Sequence, residues 1–174
     1  MESLRLVDHL HQHLGGPVSP SNEHAFRSLV LERATILDLT MNDVLAVRAA
    51  RHIFLASELA AEVYSRLPAS VRIDMIESII RRHDPDRWPF VVPVLTRVIA
   101  LRNQLAHGMP TWEQGEMHVH SYNRGKHTVR RYKPDALGWL VWQAEVVSGE
   151  LNQLWAHLVP ADEEWHRTHP VYAI

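Results

Sequence analysis

The sequence predicts an all-α fold, an antiparallel bundle of four to five helices with a small β-hairpin inserted before the last helix. Three observations carry this reading. Apolar residues recur at three- and four-residue spacing through most of residues 21–158. Pro68, Pro110 and Pro160 fall at the ends of those stretches. Residues 116–132 alone change period, alternating every second residue around a glycine-containing turn.

In chain order, residues 1–20 read as an N-terminal arm, 21–160 as the helical domain with its hairpin at about 116–132, and 161–174 as a polar, aromatic tail. Ser21 or Asn22 can cap a helix starting near Glu23, whose apolar face holds Phe26, Leu29, Val30, Ile36 and Leu37. Asn42 or Asp43 can cap a second helix with the stripe Leu45, Ala49, Ile53, Ala56, Leu59, Ala60, Val63 and Leu67, stopped by Pro68. A third runs from about 69 to 83 and is broken at His83-Asp84-Pro85-Asp86. The fourth starts near Pro89 or Phe90, tolerates Pro93 in its first turn, and carries Val94, Leu95, Val98, Ile99, Leu101 and Leu105. Gly108 is placed to end it in the left-handed conformation, with Pro110 beyond. After the hairpin, Leu137, Leu140, Val141, Ala144, Val147, Leu151, Leu154 and Leu158 hold a helical period over about six turns.

Composition narrows the functional classes. At 174 residues the chain suits one domain that needs no metal or disulfide staple. It has no cysteine, which removes thiolate metal sites and cysteine nucleophiles and fits a reducing, cytoplasmic setting. No apolar run approaches the roughly 20 residues of a membrane span, and the N-terminus lacks the pattern of a signal peptide. A net charge of −2 gives no global basic field, so nucleic-acid binding has to be local.

The stretch richest in chemistry is Arg102-Asn103-Gln104-Leu105-Ala106-His107-Gly108, at the end of the fourth helix. Asn103 and His107 are four apart and share a helix face, and the long Arg102 side chain can swing toward the same edge. These parts suit RNA cleavage. RNA carries its own nucleophile, the 2′-hydroxyl, so the protein has to move protons and neutralise the crowded phosphate. An imidazole moves protons, and a guanidinium grips phosphate oxygens with a fork. One histidine cannot easily be base and acid together; a two-fold dimer would supply two. The plain alternative is that arginine and histidine near a helix end satisfy the last carbonyls or pair with acids such as Glu58 or Glu62.

Arg102-Asn103-xxx-His107 resembles the signature of the HEPN superfamily (higher eukaryotes and prokaryotes nucleotide-binding domains). That signature is an arginine, a polar residue, and a histidine four to six residues on. The resemblance implies an antiparallel helical bundle and a metal-independent endoribonuclease acting as a homodimer. It makes Arg102, Asn103 and His107 the catalytic set, with no cofactor or metal. It also implies a setting in toxin–antitoxin or phage-defence systems, with an antitoxin as candidate partner. The antitoxin-paired branch typically has a tyrosine two residues after the histidine, where this chain has Met109. A non-catalytic HEPN-like module that binds nucleotide, nucleic acid or protein is the competing reading.

The hairpin adds a basic set, Arg124, Lys126, Arg130, Arg131 and Lys133, with no acid between Met117 and Pro134. Tyr122, His127 and Tyr132 are interleaved, a pattern that can track an RNA backbone and stack bases, or simply solvate a hairpin edge. Histidines cluster twice, as His9, His11 and His13 and as His118 and His120, but neither group closes a metal site by itself. Trp88, Trp112, Trp139, Trp142 and Trp155 are expected in the core or at a dimer contact.

Overall fold

Among the described residues, the apolar periods fold into five α-helices, and the segment after the fourth folds into a sheet of three strands. A computed structural model describes residues 14–50, 53–123 and 125–159. The helices are α1 (Glu23–Ala49), α2 (Ile53–Glu62), α3 (Ala69–His83), α4 (Val91–His107) and α5 (Pro134–Leu158), with a 3-10 turn at Tyr64–Arg66. Between α4 and α5 run β1 (Met109–Glu113), β2 (Glu116–Asn123) and β3 (Lys126–Tyr132), antiparallel in the order β1-β2-β3. The expected all-α class is therefore corrected to helices plus a three-stranded antiparallel sheet.

The strand that the sequence concealed is β1. Gly108 does not turn into the left-handed region; at φ −100° and ψ 167° it is extended and feeds the chain straight from α4 into the strand. Glycine is required there for space. A Cβ on Gly108 would lie 2.5 Å from the Gln104 carbonyl oxygen, 2.7 Å from Val119 Cγ1 and 2.9 Å from the His120 carbonyl oxygen. Pro110 sits inside β1, which is tolerable because β1 is an edge strand and needs hydrogen-bond donors on one side only.

A second correction concerns the first helices. Asn42 and Asp43 do not start a new helix; α1 continues through them for 27 residues, about 40 Å. The Asn42 side chain is buried and accepts a hydrogen bond from Arg72, so it is unavailable as a cap. The break falls near residue 50, and α2 ends at Glu62 before the 3-10 turn. Asn22 stands at the N-cap of α1 but makes no side-chain cap bond. Its amide instead donates to the Leu14 and Pro17 carbonyls and accepts from the Ser19 N–H, which ties down the preceding loop. Leu14 and Val18 are buried, so residues 14–20 belong to the packed domain and not to an arm. The expectations for His9, His11 and His13, and for the 161–174 tail, lie outside the described residues.

Two apolar clusters make up the core. The larger joins the C-terminal half of α1 (Leu37, Met41, Leu45) to α3 (Ile76, Ile80), α4 (Val94, Leu95) and the far end of α5 (Leu151, Leu154). The smaller joins Phe26 and Val30 of α1 to Leu101 and Leu105 of α4, Leu137 and Val141 of α5, and Met117 and Val119 of the sheet. Each such leucine withdrawn from water contributes about 2 kcal/mol. The sheet thus lies over the end of α4 that carries the Arg-Asn-xxx-His motif. No helix among the described residues is long and apolar enough to cross a membrane.

Candidate functional site

Leu101 and Leu105 anchor the last turns of α4 in the smaller cluster, and this fixes where the motif side chains leave the helix. At about 100° per residue, Arg102 and Gln104 project on opposite flanks of that buried stripe, while Asn103 and His107 project away from it. Asn103 and His107 are both exposed. The two backbone directions of Arg102 and His107 diverge by about 140°.

Arg102 is held in place by side chains. Its Nη1 donates to Asn103 Oδ1 at 2.8 Å, and its Nη2 donates to Asp38 Oδ2 at 3.1 Å. The other oxygen of Asp38 accepts from Arg72 Nη2 at 2.8 Å. Arg72 Nη1 in turn donates to Asn42 Oδ1 at 2.8 Å and to the Asp38 carbonyl at 3.2 Å. One carboxylate therefore serves two guanidiniums from α3 and α4, and the group carries a net positive charge. The Arg72 and Asp38 side chains are 7% and 16% exposed, whereas Arg102 is 35% exposed, so the remaining charge faces solvent on the Arg102 side. Asn103 spends its oxygen on Arg102, which leaves its amide N–H groups facing outward.

Arg102 and His107 do not hydrogen-bond each other. Arg102 is tethered through Asp38 toward α1, and His107, with no hydrogen-bond partner among the described residues, is exposed on the adjoining surface one helical turn beyond Asn103. An anion bridging the two has to lie across the Asn103 side of the helix end.

The other flank of α4 meets the sheet. Tyr132 on β3 hydrogen-bonds the Gln104 amide. The amide orientation that satisfies both neighbours turns its nitrogen to Tyr132 and its oxygen to Arg130 Nε, at 3.1 Å. Burial raises the pKa of the Tyr132 phenol, with Arg130 and Gln104 opposing the rise. Asp38 and Arg72 are absent from the sequence-based reading, which names Gln104 only within the motif stretch and Tyr132 only among the interleaved aromatics. Asp38 lies 64 residues from Arg102, and nothing local marks the pair.

Strand alternation divides the predicted basic set. Arg130 shares the inner sheet face with Trp112, Met117, Val119 and Tyr132, and Arg131 lies on the outer face, paired in register with His118. Lys126 and Lys133 are exposed at the two ends of β3, and Arg124 lies outside the described residues. These cations surround the sheet and do not form one patch.

The outer face also carries His120, Tyr122 and His127. His120 Nε2 lies 3.0 Å from Thr111 Oγ1, and its Nδ1 lies 3.2 Å from His127 Nε2. The two rings are within 12° of parallel with centroids 5.3 Å apart, an end-to-end imidazole–imidazole hydrogen bond. Tyr122, 73% exposed, stacks on His127 at 4.7 Å between centroids. His118 is turned to Glu113, Nδ1 to Oε2 at 3.3 Å. Among the described residues, no three or more histidine or carboxylate side chains are grouped to hold a metal ion.

Of the tryptophans, Trp88 is buried and donates to Glu150 Oε2 at 2.9 Å, and Trp112 donates to Glu23 Oε2 at 2.7 Å. Trp139 is 39% exposed and packs on Trp142.

Compared with family models, with curated proteins and with solved structures, the chain matches none. The functional reading rests on the geometry just described and on the resemblance of the motif.

Proposed function

We propose that the chain acts on RNA as a metal-independent endoribonuclease of the HEPN kind, with Arg102, Asn103 and His107 as its catalytic set and a homodimer as its working form. The observation that carries the reading is the preorganised Arg102. Asp38 and Asn103 fix its guanidinium at the solvent edge of α4, on the same helix end as the exposed His107, without cancelling the local positive charge. A group fixed before substrate arrives does not have to be ordered during the reaction.

In this mechanism the 2′-oxygen attacks the adjacent phosphorus and the bond to the 5′-oxygen breaks. The 2′-hydroxyl proton passes to one His107, and the His107 of the second copy protonates the departing 5′-oxygen. Arg102 binds the non-bridging oxygens and Asn103 donates to one of them. The products are a 2′,3′-cyclic phosphate and a 5′-hydroxyl. Arg130, Arg131, Lys126 and Lys133 contribute flanking phosphate contacts on both sides of the sheet.

The test is incubation of the full chain with mixed-sequence RNA in excess EDTA, followed by end-group analysis. Cleavage that leaves cyclic phosphate, and that is lost in both Arg102→Ala and His107→Ala at unchanged helicity, supports the reading. Cleavage that persists in both variants sinks it.

A second reading, a non-catalytic HEPN-like module, is favoured by the same Asp38 contact, because an arginine with two partners in its own chain also serves as a clamp between helices. It calls for salt-dependent RNA binding without turnover, weakened when Lys126, Arg130 and Arg131 are replaced by glutamine.

A further inference from the structure

A cavity of about 420 Å³ opens between α1, α2 and the end of α5. Its size falls in the range of small-molecule sites. The walls are small and apolar, with Ala46, Val47, Ala56 and Ala60 among them, and Trp155 supplies an aromatic surface. Among the described residues, Asp43 is the one charged residue of the lining. Among the described residues no cation pairs with it. Two of the neighbouring polar groups are already used: Asn42 Oδ1 accepts from Arg72, and the Ser65 hydroxyl bonds the Ala61 carbonyl. The apolar surroundings desolvate Asp43 enough to raise its pKa even though it remains open to solvent.

We infer that this cavity binds a small organic cation, an ammonium group carried on an apolar body, with the charge on Asp43 and the body against Trp155 and the alanine walls. Three features select that chemistry. A carboxylate that pairs with no described cation, set at an apolar wall, repels anions and gains from a cation that accompanies it out of water. An aromatic face attracts the same charge through its quadrupole. Alanines in place of larger side chains leave room for the ligand's hydrocarbon part. The inference is independent of the RNA reading and stands if that reading fails.

Phenethylamine, 3-phenylpropionate and 2-phenylethanol serve as probes of matched size and differing charge. Each is titrated into the full chain and followed by saturation-transfer NMR and calorimetry. Phenethylamine is expected to bind with a Kd on the order of 1 mM or tighter, and at least about tenfold tighter than the other two. Asp43→Asn, at a solvent-open position that leaves the fold intact, is expected to weaken phenethylamine by about tenfold. Ala60→Leu, which fills the cavity, is expected to abolish binding. Equal affinity for the three probes, indifference to Asp43→Asn, retention in Ala60→Leu, or no binding at tens of millimolar would each overturn the proposal. So would a basic amphipathic peptide that occupies the groove while the amine does not.

Discussion

Replacing Asp38 by alanine removes the carboxylate that joins α1 to both α3 and α4. Arg72 is the more dependent partner, because its side chain is only 7% exposed and would keep just the Asn42 oxygen and the Asp38 carbonyl. Breaking a fully buried pair by deleting one partner costs about 3–5 kcal/mol. Here the two surviving hydrogen bonds and the 16% exposure of Asp38 reduce that to about 2–3 kcal/mol. For a chain of this length the loss corresponds to a fall in Tm of about 4–12 °C. Arg102→Ala, by contrast, removes a half-exposed partner and costs under about 1 kcal/mol. Urea unfolding followed by tryptophan fluorescence, on the single variants and on the Asp38–Arg72 and Asp38–Arg102 double-mutant cycles, measures both couplings. The Asp38–Arg72 coupling should be the larger. A coupling to Arg102 as large as that to Arg72, or an Asp38→Ala variant within 0.5 kcal/mol of the parent by the usual surface-substitution range of about ±0.5 kcal/mol, would refute the hub.

Three further outcomes follow from the same geometry. Gly108→Ala forces a methyl group against two carbonyl oxygens and Val119, and should cost about 2–3 kcal/mol in urea unfolding, although its backbone angles suit any residue; a neutral substitution would show that the helix–sheet junction is loose. Tyr132 has its folded-state pKa raised by burial, so the stability it contributes is complete below the ordinary value of 10.0 and falls as pH rises through the folded value. The parent should therefore lose more stability than Tyr132→Phe between pH 9 and 11, and parallel losses would contradict the assignment. Glu150→Ala leaves the buried Trp88 N–H without an acceptor and should cost about 1–2 kcal/mol in thermal unfolding, whereas Glu150→Gln, which keeps an oxygen, should recover at least half of it.

The sequence alone was enough to locate α3, α4, α5 and the motif, because their signals are local. The spacing of Leu101 and Leu105 places the buried stripe of α4, and that stripe sets the directions of Asn103 and His107 before any partner is known. The β2–β3 hairpin was legible for the same reason, its alternation flanking a glycine turn. Tertiary contacts decided the rest. Asn42 and Asp43 look like a helix start, and only Arg72, 30 residues away, explains why α1 runs through them. Gly108 looks like a left-handed helix terminator, and only the approach of β2 shows that it is a spacer leading into a hidden edge strand. Arg102 reads as a free phosphate-binding fork, and only Asp38 reveals that one side of it is tethered within the fold. Periodicity encodes which side of an element faces inward. It carries no information about which distant side chain it meets there, and that meeting is what orients the guanidinium on which the proposed chemistry depends.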